Sequence, residues 1–237
     1  MRAACRNRTD RGVRERFHEA LLNRGSWHDV RVEGSVLVGG VLVAGLGIFL
    51  VGAVGRRLEY QRPLQESLPA IHRDRRRWTW IHLWMVAALL VTPAGLAGLA
   101  VIMEARTATV LTAMAATVYV TGGVCWIASL TFRLTVVPWA AEQTVTVGDV
   151  PDGFAAHDRW AGALYCVHML TAYVASAVLG IAVLVSDALP AWLGWTGLGW
   201  GLAFAAGLVA TRFAGPFNPP FMAHLYTGAV GVFFLLH

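Results

Sequence analysis

Long apolar runs alternate with short polar stretches along this chain, and their lengths predict helices that cross a membrane. About 20 apolar residues are needed to span a hydrocarbon core of roughly 30 Å. Six runs meet or approach that length: 35–54, 79–103, 107–132, 160–185, a fifth that opens at Leu189-Pro190 and closes at Arg212, and 221–236. The expected fold is all-α: a polytopic membrane protein with six transmembrane helices in one bundle (34–237), preceded by a basic polar tail (1–33).

The pattern inside the runs refines this reading. Gly40, Ala44 and Gly47 place a stripe of small residues on the first helix, and Gly197, Gly201 and Ala205 place another on the fifth. Small residues let helix backbones approach closely in lipid, so the second stripe is a candidate surface for a helix partner. Trp78, Trp80 and Trp84, and later Trp192 and Trp195, mark membrane interfaces. Pro93 is expected to kink the second span, and Pro138 to stop the third. Residues 138–159 then read as a long acidic loop carrying Glu142, Asp149, Asp152 and Asp158. Between the first two spans, Leu64, Leu68 and Ile71 recur at helical spacing and predict a short interfacial helix.

Charge changes the picture in two ways. Only 14% of the 237 residues are charged, against about 25% in soluble domains. All nineteen basic residues are arginine. Without lysine there is no amine for a Schiff base, which excludes a retinal-type pump. The arginines gather in two blocks, Arg2 to Arg31 and Arg56 to Arg77, which suit anionic lipid headgroups and topology rather than nucleic acid.

The tail reads equally as a disordered segment or as a surface helix with Val13, Phe17, Ala20 and Leu21 on one face, stopped by Gly25. It is too long and polar for a cleavable signal. The loop arginines put residues 55–78 in the cytoplasm and both termini outside; the eight arginines of the tail pull the other way. The tail therefore either reverses the threading or is missing from the mature chain. The setting expected is a bacterial-type plasma membrane. Cys5, Cys125 and Cys166 show no spacing for a disulfide framework or a zinc site.

The candidate chemistry rests on His82, His168 and His224, near the starts of the second, fourth and sixth spans. Those helices run in the same direction, so the three imidazoles fall within about two helical turns of one level. On the fourth helix Ala161, Tyr165, Thr171, Ala172 and Ala175 share the face of His168, while Cys166, Leu170, Val174, Ala177 and Ile181 face lipid. On the sixth, Thr227, Gly228 and Gly231 accompany His224. Converging imidazoles would ligate a b-type haem or a transition metal. The plainer reading outweighs it: each histidine satisfies itself by hydrogen bonds across helices or at the interface, because no helix carries a ligand pair.

Other chemistry is sparse. No carboxylate lies mid-span, which weighs against ion-coupled transport. His157-Asp158 with Asp149 and Asp152 is read as a solvated acidic loop, not as a metal site. No phosphate-cradling loop, nucleophile elbow or metalloprotease signature occurs, so no catalytic residues are assigned. Residues 189–202, LPAWLGWTGLGWGL, resemble a helix start of uncharacterised bacterial multi-helix integral membrane proteins. That resemblance implies membrane integration and no particular activity. The reading is a non-enzymatic packing or binding protein, with a haem- or metal-binding redox protein and a small-molecule permease as alternatives.

Overall fold

The structure is a computed structural model that describes residues 32–186, 188–213 and 217–236. The arginine-rich tail, its amphipathic face and Cys5 lie outside the described residues. All regular structure among the described residues is helical: α1 (Val32–Val54), α2 (Leu64–Arg73), α3 (Arg75–Ile102), α4 (Arg106–Val147), α5 (Phe154–Leu184), α6 (Ala191–Ala210) and α7 (Phe221–Leu236). A 3-10 turn, Leu58–Gln61, lies between α1 and α2. Five helices (α1, α3, α4, α5 and α6) are long and apolar enough to cross a membrane; α7 is apolar with 16 residues.

The third predicted span is corrected. α4 runs on for 42 residues, through Pro138 to Val147, so the acidic loop shrinks to the stretch around Gly148 and Gly153. A mid-helix proline is tolerated where neighbours stabilise the disturbed backbone. Here Val137, Pro138, Ala140 and Ala141 are all buried, packed with α2 and the start of α5. The indole of Trp78 donates to the Arg133 carbonyl at 2.7 Å, one residue from the carbonyl that Pro138 leaves without its helical donor. α4 stops at Gly148, whose left-handed φ of 94° is costly for residues with a Cβ.

At 42 residues α4 is about 63 Å long, twice a hydrocarbon core. The surplus forms a cap. Leu68 and Ile71 of α2, as the spacing predicted, pack with Trp78, Phe132, Val137 and Phe154 in an apolar cluster separate from the main core. Gln65 donates to the Gly148 carbonyl at 2.9 Å, and Arg57 pairs with Asp74 at 2.9 Å. The interfacial helix is therefore held on protein.

Below the cap, α1, α3, α4, α5 and α7 surround one core, with α6 packed on α5 and α7. Close approach, not side-chain interdigitation, sets several contacts. A Cβ at Gly39 would sit 2.7 Å from the Gly231 carbonyl, which joins α1 to α7. On α6, a Cβ at Gly201 would sit 2.5 Å from the Tyr173 carbonyl of α5, and Gly197 faces Tyr226 of α7. The ridge predicted on the fifth span is thus used within the chain. The stripe predicted on the first is not: Ala44 and Gly47 are exposed, and Gly40 and Gly47 have open space beside them. Gly39, Gly45 and Gly52 make the close approaches instead. Ala177, expected to face lipid, is 6% exposed because α6 covers it; Val174 and Ile181 do face outward.

Candidate functional site

Two polar features share the interior, and Trp126 separates them. The deeper one is the centre of the bundle. His168 and His224, both fully buried, lie against the ring of Tyr119, with centroids 5.5 and 6.1 Å from it. They come from α5 and α7, and Tyr119 from α4. Glycine makes the meeting possible. A side chain at Gly122 would collide with Thr171 and lie 3.1 Å from the His168 Cα. A Cβ at Gly45 would crowd Thr92 Oγ1.

The two imidazoles differ in how they are satisfied. His224 Nδ1 meets Thr92 Oγ1 at 3.3 Å, its Nε2 meets the Tyr119 hydroxyl at 3.5 Å, and its ring stacks on Phe49 at 4.9 Å. His168 stacks on Trp126 at 4.5 Å; neither ring nitrogen makes a well-formed hydrogen bond among the described residues, and the Gly122 backbone offers only a weak one. A buried polar group without a partner costs about 1–3 kcal/mol, so an orphaned imidazole is an exception that calls for an occupant, a bound water or a function.

The shallower feature is a cavity of about 460 Å³ where the cap meets the bundle, within the usual range of ligand pockets of about 300–1,000 Å³. Its floor is apolar and buried: Ile81, Met85, Trp126 and Leu130. Its polar lining is basic, with Arg56, Arg62 and Arg133 against Asp158 alone. Arg133 pairs with Asp158 at 3.6 Å, and Arg62 with Glu66 at 3.5 Å. Arg56 has no ion pair among the described residues. The Tyr165 hydroxyl donates to the Asn218 carbonyl, which ties the segment before α7 to the cavity wall. Near the rim, Tyr60 donates to Asp74 at 3.3 Å; burial, then the adjacent carboxylate, raise its phenol above the ordinary value.

His82 belongs to this cavity. Its Nδ1 lies 2.7 Å from the Trp78 carbonyl, four residues back on α3. A carbonyl only accepts, so Nδ1 carries the proton and Nε2 of the neutral ring keeps its lone pair. Nε2 makes no hydrogen bond among the described residues and is not among the fully enclosed unpartnered atoms.

The structure therefore brings His168 and His224 together at Tyr119 and places His82 at the cavity, across Trp126. Sequence reasoning found the histidines but missed their partners. Thr92 and Tyr119 are polar residues in the middle of apolar runs, a signal that was available. Arg56 and Arg133 looked like span boundaries. Among the described residues no group of three or more His, Cys, Asp or Glu side chains is arranged to hold a metal ion. Comparisons of the chain with family models, with curated proteins and with solved structures give no match.

Proposed function

We propose that this is an integral membrane protein of six crossings, α7 included, with a non-enzymatic binding role: it holds an amphipathic anion in the cavity beneath the cap. One observation carries the reading, the pairing of an arginine-lined mouth with an apolar, aromatic floor in a single cavity. An acidic headgroup would meet Arg56, which has no ion pair among the described residues, and an apolar body would lie on Met85, Trp126 and Leu130. At 16 residues α7 is about 24 Å long, a mismatch that local bilayer thinning or snorkelling of flanking residues would absorb. The arginine-rich cap on the cytoplasmic side would contact anionic headgroups and deliver such ligands to the mouth.

The test is competitive binding of oleate and methyl oleate to the purified protein. A charge-assisted hydrogen bond contributes about 1.5–3 kcal/mol, so oleate should bind about tenfold tighter or more. Arg56→Gln should remove most of that preference, and Arg106→Gln at the far end of α4 should not. Equal affinity for acid and ester would overturn the reading.

A redox role for the deeper imidazoles is the second reading. It is supported by the ring nitrogens of His168, which lack a side-chain hydrogen-bond partner among the described residues, beside His224. A metal-dependent absorption band lost in His168→Ala but kept in His82→Ala would favour it. A permease would use the same cavity, but passage onward requires displacing Tyr119, His168 and His224, which close the core below Trp126.

A further inference from the structure

We infer that the anion matched by this cavity is an iron tetrapyrrole of the b-haem type, bound through Nε2 of His82. The inference rests on the reading of the cavity as an amphipathic-anion site and narrows it. Three observations separate a haem from a simple acyl anion.

The first is the imidazole. A histidine that binds haem iron offers one bare ring nitrogen, while the other donates to a carbonyl that fixes ring orientation and tautomer. His82 has this arrangement: Nδ1 is held at 2.7 Å by the Trp78 carbonyl, and Nε2 is free among the described residues on a residue that lines the cavity. An acyl chain has no use for such a nitrogen. The second is the placement of charge. A haem carries two carboxylates on one edge of an apolar disc. The cavity offers Arg56 from the non-helical link after α1 and Arg133 from α4, the first without an ion pair among the described residues and the second held at 3.6 Å by Asp158. The third is the wall. Tyr60, Trp78, Trp126 and Tyr165 line it from the cap, α3, α4 and α5, and a wall of that aromatic content suits a broad flat ligand better than a narrow chain.

His168 and His224 have no part in this site. Their rings lie on the far side of Trp126, against Tyr119 and Phe49. Of the three histidines on parallel-running helices, His82 is assigned the iron.

The experiment titrates the purified full chain with haem and, separately, with metal-free protoporphyrin, following absorbance. The expected result is a shifted Soret band with haem and binding at least about tenfold tighter than for the metal-free ring. His82→Gly should lose that advantage, and added imidazole should restore it, which separates lost ligation from misfolding. His168→Ala should keep the band. Haem binding that equals metal-free binding and ignores His82→Gly overturns the inference. If oleate is then still preferred over its ester through Arg56, the broader reading stands. If neither porphyrin nor oleate binds, both fall.

Discussion

His168 and His224 occupy one core under opposite conditions. His224 completes a short network with Thr92 and Tyr119, so His224→Leu removes one hydrogen-bond partner from each of the two hydroxyls. A loss of about 1–3 kcal/mol is expected, read as a lower unfolding temperature in detergent. Among the described residues His168 has no side-chain hydrogen-bond partner and only a weak backbone contact with Gly122. Replacing an unsatisfied polar group with an apolar one of similar size is neutral or stabilising, so His168→Leu should unfold at an equal or higher temperature. A fall as large as that of His224→Leu would show that His168 is satisfied in the membrane by something bound. The difference between these residues was not legible in the sequence. Their helical faces were, because Thr227, Gly228 and Gly231 are buried with His224 as the periodicity indicated. The hydrogen-bond partners of His224 come from α3 and α4, and only the tertiary fold selects those.

Helices show the same division between local pattern and packing. Apolar run length located the five helices long enough to cross a membrane, and α7, because lipid leaves the backbone few alternatives to a helix. It misjudged α4, since whether a proline stops a helix depends on what surrounds it, and Trp78 and α2 surround Pro138. Small-residue stripes were ambiguous for a related reason: spacing marks a surface that permits close approach without saying that a helix uses it. Gly201→Leu should destabilise the bundle by more than about 1–3 kcal/mol, as overpacking does, because the backbone of α5 lies where its side chain would go. Gly47→Ala, in open space on α1, should be neutral or slightly stabilising in the same thermal assay. The cap has its own signature at high pH. Tyr60 holds its proton more tightly folded than unfolded. Its contribution is therefore complete below the ordinary tyrosine value of about 10 and lost as pH rises through the raised folded value. Limited proteolysis of the 55–63 segment should accelerate there, and Tyr60→Phe should flatten the response.

The whole molecule is a bundle with one end elaborated. Residues 55–74, the short link between α4 and α5, and Asn218 to Pro220 meet at that end around the cavity. These are the loops that alternate threading puts on one side. A cysteine at Gln61 and one at Asp152 should therefore react with an impermeant thiol reagent from the same side of sealed vesicles, the cytoplasmic side on the arginine distribution. Labelling from opposite sides would break the threading. The cavity was not legible in the sequence, because its walls come from five separated segments and its arginines read as helix ends. The most direct test of the binding role is the affinity of the purified protein for oleate against methyl oleate, in the natural chain and in Arg56→Gln. A preference of about tenfold or more for the acid is expected, largely abolished by the substitution. Equal binding of acid and ester, or a preference that survives Arg56→Gln intact, would contradict that role.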